Sequence, residues 1–287
     1  MRRISLGVLG TIVAALAVAH VLSGQAVRKV PWPHKPLGNI DRQKWPEPSG
    51  IVYHPVRKTL FVVSDEGHVA EIKTDGTPVR KRMRKERADY EGITVDPATN
   101  LLYVAVEGED KILELDPDTL LAKREFDVER TFEGRQVLKP GGDGLEAVEF
   151  VPNDKHREGG TFYVTNQGWN AKAAEDVSAV LEVELPIRTA KPGAPLKGKI
   201  LRMMSLGVTD LSALHYDATR KRLYVMADSA DTLFEMGLDG KVTAAWAFPG
   251  RDQEGITVDP DDCVYVAQDC GGILKYKWLR KAEQDTE

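Results

Sequence analysis

Cysteine is nearly absent. Two thiols in 287 residues, Cys263 and Cys270, cannot build a disulfide scaffold or a four-thiolate zinc site. Positive charge is not in surplus: 39 lysines and arginines face 44 aspartates and glutamates, a net charge of −5. The chain therefore lacks the basic footprint of a nucleic-acid binder, and no nucleic-acid partner is expected. The six histidines do not cluster, and no P-loop, G-x-S-x-G or C-x-x-C occurs, so no nucleotide, haem or zinc is expected. Amphipathic helical periodicity is missing from the body. What remains, with 42% hydrophobic and 29% charged residues, is an ordinary core-forming composition.

Long apolar runs are also missing, with one exception. Ile4 to Leu22 carries no charge over 19 residues and follows Arg2-Arg3. A helix of that length nearly spans a bilayer core. Residues 1–24 thus read as a signal peptide, with Ala17-Val18-Ala19 or Gly24-Gln25-Ala26 as cleavage patterns, or as a signal-anchor transmembrane helix. Either reading exports the rest of the chain, because the arginines stay on the cytoplasmic side. The leader holds two arginines and no acid, so the remainder carries −7. Residues 25–47, with Pro31, Pro33, Pro36 and Pro46, read as an extended tether, part of which is available as a closing strand.

From residue 48 to 287 the chain repeats itself. A first element recurs as Ser49-Gly50-Ile51-Val52, Glu91-Gly92-Ile93-Thr94, Glu146-Ala147-Val148-Glu149, Ser212-Ala213-Leu214-His215 and Glu254-Gly255-Ile256-Thr257. A second holds Phe61-Val62, Tyr103-Val104, Tyr163-Val164, Tyr224-Val225 and Tyr265-Val266, spaced 10 or 11 residues from the glycine or alanine in four copies and 16 in the third. A third follows each polar turn, as in Ile112-Leu113-Glu114-Leu115, and Asp75-Gly76 and Asp239-Gly240 mark hairpins into a fourth. Short runs rich in valine, isoleucine and aromatics are strand chemistry. Four antiparallel strands per unit, at a period of 42 to 66 residues, predict an all-β propeller. Five blades are favoured, and six result if residues 127–143 or 186–209 add a degenerate one. Cys263 and Cys270 flank one hairpin in a register that does not bring them together, so no disulfide is expected. His34, His68 and His156 read as loop residues.

In a propeller the start of each first strand and the turn between the second and third strands share one face. The first-strand starts are Ser49, Glu91, Glu146, Ser212 and Glu254, and two residues earlier stand Glu47, Asp89, Gly144, Asp210 and Asp252. The turns carry Asp65, Glu107, Gln167, Asp228 and Asp269. Most of these fifteen positions are acidic and none is basic. Gathering them requires raised pKa values, hydrogen bonds to backbone amides, or a bound cation. Oxygen-only donors favour Ca²⁺ or Mg²⁺, and Glu91, Glu146 and Glu254 are the candidate ligands. The same acids serve equally to cap amides and tie blade to blade. Trp169, on the enlarged hairpin Gly168–Ser178, is placed to stack on a small-molecule or protein ligand at this face, or to act as a packing lid. The basic run Arg80-Lys81-Arg82-Met83-Arg84-Lys85 reads as a charged outer edge or as a contact for anionic membrane.

The ordered set Pro48-Ser49-Gly50-Ile51, Asp89-Tyr90-Glu91-Gly92-Ile93, Gly144-Leu145-Glu146-Ala147, Asp210-Leu211-Ser212-Ala213-Leu214-His215-Tyr216-Asp217 and Gln253-Glu254-Gly255-Ile256 resembles the SdiA-regulated (YjiK-like) family. The resemblance covers residues 45–278 and implies an envelope propeller on the periplasmic side of a bacterial inner membrane. It implies fold and location, with a binding or scaffold role, more than a reaction. More distantly, Glu91-Gly92 and Glu254-Gly255 are similar to pairs in calcium-dependent lactonases of the gluconolactonase type, and calcium-dependent phytases also have an acidic mouth. That likeness implies an alternative: metal-dependent hydrolysis of a lactone, ester or phosphoester.

Overall fold

The computed structural model describes residues 27–83, 88–142, 144–168 and 178–280. Each copy of the repeat folds as an antiparallel set because its short β-branched and aromatic runs alternate with tight turns. Two strands come before the first copy, β1 (Lys29–Pro31) and β2 (His34–Asn39). The first copy supplies β3 (Pro48–His54), β4 (Thr59–Ser64), β5 (His68–Lys73) and β6 (Pro78–Met83), and the second β7 (Tyr90–Val95), β8 (Leu102–Val106), β9 (Lys111–Leu115) and β10 (Ala122–Val128). A small hairpin, β11 (Thr131–Phe132) with β12 (Arg135–Gln136), precedes β13 (Leu145–Pro152), β14 (Gly160–Asn166), β15 (Ala179–Glu184) and β16 (Lys197–Ser205). The fourth copy gives β17 (Ala213–Asp217), β18 (Arg222–Ala227), β19 (Thr232–Met236) and β20 (Val242–Ala247), and the last gives β21 (Gln253–Val258), β22 (Cys263–Gln268) and β23 (Ile273–Trp278). Residues 127–143 thus hold the short β11–β12 hairpin, while residues 197–205 are the outer strand of the third set.

The first strands touch one another in the cyclic order β3, β7, β13, β17, β21 and back to β3. This closed ring of sheets is the propeller architecture. The repeated small residue explains how tightly the ring closes. A Cβ on Gly50 would stand 2.6 Å from Glu91 O, one on Gly92 2.5 Å from Val148 N, and one on Gly255 2.7 Å from Ser49 O. The first strands therefore meet backbone to backbone. The axis is left with room for roughly one water.

Among the described residues the outer strand of the last set is β2, pairing antiparallel with β23 from His34↔Trp278 to Asn39↔Leu274. Just upstream, β1 runs parallel to β20 on the neighbouring set. Trp32, between the two, is buried against Phe248, Tyr276 and Trp278 with ring centroids 4.4, 5.4 and 5.5 Å away. The N-terminal chain thus clasps the fourth and fifth sets together. On the opposite side, β10 and β16 pair in parallel at their outer edges.

A second repeat lies within the sets. The third-strand glutamate bonds an arginine on the outer strand: Arg80 Nε to Glu71 Oε2 at 2.8 Å, Arg124 Nε to Glu114 Oε1 at 3.0 Å, and Arg202 Nε to Glu182 Oε2 at 2.8 Å. The second-strand tyrosine joins where present, with Tyr103 Oη donating to Glu114 at 2.9 Å and Arg202 donating to Tyr163 Oη at 3.1 Å. These charges lock strands rather than serve a site. In the basic run, Arg80 is occupied this way, Lys81 sits 3.9 Å from the Trp45 ring, and Arg82 donates to Thr119 O. Arg84 and Lys85 lie outside the described residues.

Both cysteines are free, with Cys263 opposite Lys277 across the ladder. His34 and His68, read as loop residues, lie in β2 and β5. The leader, residues 1–24, falls outside the described residues, among which no helix is long and apolar enough to cross a membrane.

Candidate functional site

Five equivalent backbone hydrogen bonds bring the acidic positions to one face. The N–H of Asp65 donates to Glu47 O, Glu107 to Asp89 O, Gln167 to Gly144 O, Asp228 to Asp210 O and Asp269 to Asp252 O, at 2.9–3.4 Å. Each bond fastens a second-to-third-strand turn onto the entry of its own first strand. Glu47, Asp210 and Asp252 hold φ of 45°, 59° and 51°, the left-handed turn that swings the chain into the ring.

Bulges then aim the side chains. The ladder shifts register at Pro48/Gly50, Tyr90/Ile93, Leu145/Val148 and Gln253/Gly255, bracketing Ser49, Glu91, Glu146 and Glu254. An unpaired residue in a bulge is free to turn out of the pleat. With only small residues beside them, these side chains converge on the mouth of a narrow axis.

Some of the acids accept from backbone amides, of a neighbouring set for Glu107 and Asp228 and of its own set for Asp210. Glu107 Oε1 accepts from Gly144 N at 3.1 Å, and Asp228 Oδ1 accepts from Gln253 N at 2.8 Å. Ser212 Oγ donates to Gln253 O at 2.6 Å, and Asp210 Oδ2 accepts from Ser229 N at 3.0 Å. For Glu107, Asp210 and Asp228 the amide-capping role is real. Asp252 is half-exposed at the rim, 3.8 Å from Arg251.

The remaining acids lack such partners and face each other. Asp65, Asp89 and Glu91 each offer an oxygen within 4.8 Å of the other two, the one such trio among the described residues. Ser49 Oγ donates to Asp65. Glu107 and Glu146 lie within hydrogen-bonding reach, as do Asp65 and Asp269. Enclosure by protein and mutual repulsion push these carboxyls upward: Asp65 and Glu107 to about 7, Glu254 to about 9, and Glu91 and Glu146 well above the usual range. Burial raises Asp210, Asp228 and Asp269 as well. Carboxyls raised in this way keep their protons to higher pH than free ones, and a cation that bound them would displace those protons.

All twelve acidic or polar candidates from the sequence reach this face, but not as one ligand set. Glu91 joins Asp65 and Asp89, Glu146 pairs with Glu107, and Glu254 feels Asp210, Asp228, Asp269 and Asp65. Trp169 lies outside the described residues. Sequence reasoning passed over Glu149, which is buried deeper along β13. Its Oε1 accepts from Tyr216 N at 3.1 Å and its Oε2 from Thr94 Oγ1 at 3.2 Å, and burial pushes it up to about 8. The signal was present, because Thr94 and Thr257 occupy the same repeat position and accept from Phe150 N and Tyr53 N, each at 3.0 Å.

A family model described as SdiA-regulated matches residues 34–271. No curated protein matches the chain. Among solved structures, glutaminyl cyclase of Myxococcus xanthus is 13% identical, covering 87% of this chain and 97% of its own, with a TM-score of 0.56. The β-propeller domain of Cps50 (Swd1) from Myceliophteria thermophila is 10% identical, covering 85% of this chain and 99% of its own, with a TM-score of 0.49. At such identity the likeness to the cyclase is one of fold.

Proposed function

This chain belongs to the SdiA-regulated family, and on that premise we propose an exported, membrane-tethered, five-bladed binding propeller whose acidic mouth takes a divalent cation. Five antiparallel sets in one cyclic order support the blade count. The Arg2-Arg3 lead and the uncharged stretch from Ile4 to Leu22 support tethering on the periplasmic side of a bacterial inner membrane.

The observation that carries the cation is the Asp65–Asp89–Glu91 trio, which among the described residues is gathered without an ion-paired arginine or lysine. The donor set is entirely oxygen, which suits Ca²⁺ above zinc or copper. Asp65, Asp89 and Glu91 would hold the ion, with Glu146 and Glu254 nearby to neutralise it or to meet a ligand. A bound ion would supply a positive charge able to attract an anionic or carbonyl oxygen of a protein or small-molecule ligand. Asp228, already engaged with Gln253 N, keeps its structural place.

Calcium titration calorimetry on the full chain, with Glu91→Gln and Asp89→Asn beside it, tests the reading. Heat and a raised melting temperature with the parent, lost in both variants while the fold is kept, are expected. No heat and no melting shift at millimolar Ca²⁺ would defeat it. A screen of lactones, esters and phosphoesters with added Ca²⁺ separates binding from hydrolysis: turnover that disappears with Glu91→Gln assigns an enzyme instead.

A further inference from the structure

The clasp has an outward face that holding two blades together does not require. Residues 27–40 contain Arg28, Lys29 and Lys35 and no aspartate or glutamate, in a chain of net charge −5. Within them only Trp32 is buried. Val30 and Leu37 are 41% and 46% exposed. Leu279, fastened beside them by its N–H donating to Pro33 O at 2.8 Å, is 50% exposed. Three of the eight large exposed apolar side chains of the described molecule therefore gather at this clasp.

The position of the clasp in the chain gives the patch a partner. Five peptide links separate Leu22, the end of the uncharged stretch, from Val27, so the gap spans at most about 18 Å. Once the leader is in a bilayer, Val27 at the start of the clasp cannot stand farther than that from the end of the leader. Exposed cations beside apolar side chains are the composition that settles into an anionic interface. The basic outer strand β6 is a weaker competitor, because Arg80 is neutralised by Glu71 and Lys81 is stacked on Trp45.

Resting on the tether reading above, the geometry points to the outer wall of the fourth and fifth blades as a docking face for an anionic lipid bilayer, with Arg28 and Lys35 meeting lipid phosphates and Val30, Leu37 and Leu279 entering the interface. The propeller then lies on its side. Its axis runs along the membrane plane, and the mouth stays open to ligand instead of pressing against lipid.

The test places single fluorophores on the full chain inserted into vesicles of phosphatidylcholine with or without phosphatidylglycerol, using quencher lipids labelled near the headgroup. The probes go in by Val30→Cys, Leu37→Cys, Leu279→Cys and, as a mouth-side control, Ser229→Cys, in a Cys263→Ser/Cys270→Ser background. Several-fold stronger quenching at 30, 37 and 279 than at 229 in anionic vesicles is expected, and Arg28→Glu/Lys35→Glu should erase the difference. Equal or stronger quenching at 229, in chains that float with the vesicles, overturns the docking face and leaves the tether standing. Identical quenching with and without phosphatidylglycerol overturns the part played by anionic lipid. Chains that fail to float overturn the tether, and the docking face with it.

Discussion

Replacing Glu149 by glutamine should stabilise the protein, and by an amount that depends on pH. The carboxyl sits among three first strands, accepting from Tyr216 N and Thr94 Oγ1, and no cation among the described residues perturbs it. Burial lifts it from 4.5 to about 8. Below pH 4.5 the group is protonated in both the folded and unfolded chain and its folded-state advantage is complete. As pH rises, the unfolded chain releases the proton first, and the advantage is lost until the folded group also ionises near pH 8. At about 1.4 kcal/mol per unit, the ionisable residue costs about 3 kcal/mol at pH 7 and under about 1 kcal/mol at pH 5. Glutamine has no proton to release. Its carbonyl can accept from Tyr216 N, and its amide can donate to Thr94 Oγ1 once that hydroxyl rotates to accept, as it must also do toward a carboxyl protonated on Oε2. Urea unfolding of parent and Glu149→Gln, in chelator, at pH 5 and pH 7 measures the difference. A gain that grows with pH over that range is expected. A variant equally or less stable at both values would show that Glu149 is ionised in the fold and held by a charge partner.

Gly92→Ala should lower stability by about 1–3 kcal/mol, read from the urea midpoint, because the new Cβ would meet backbone rather than a movable side chain. Trp32→Ala removes a buried indole from the clasp and should cost about 3–5 kcal/mol, with the loss visible as a lowered melting temperature. Without calcium, melting temperature should fall as pH rises from about 5 to 9, since Asp65, Glu107 and Glu254 all have raised pKa values and lose their folded-state advantage as they ionise. Calcium should restore most at the high end of that range, and a flat calcium effect across pH would contradict it.

The repeat made the propeller and the acidic face legible because its spacing is nearly constant. A fixed interval from Gly50 to Phe61 and from Gly92 to Tyr103 places Asp65 and Glu107 at equivalent turns, and equivalent turns share a face. Which acids actually meet was not legible. The bulges at Glu91 and Glu146 aim those side chains in ways that alternation alone does not predict, so Glu91 joins Asp65 and Asp89 while Glu146 turns to Glu107. Glu149 shares its repeat position with Thr94 and Thr257, which marks it as a linking residue, but its partners come from two other copies of the repeat and the position does not name them. The parallel clasp of β1 on β20 joins segments more than two hundred residues apart with only three paired positions, too short for any pattern to announce.

The central claim is that the mouth is built for a cation and not only for architecture. Anomalous density from a crystal grown in calcium, with lanthanide replacement as a stronger scatterer, tests it most directly. A single peak among the carboxylates of Asp65, Asp89 and Glu91 is expected. A mouth without a peak at millimolar calcium, with these carboxyls bonded only to one another and to water, would contradict it.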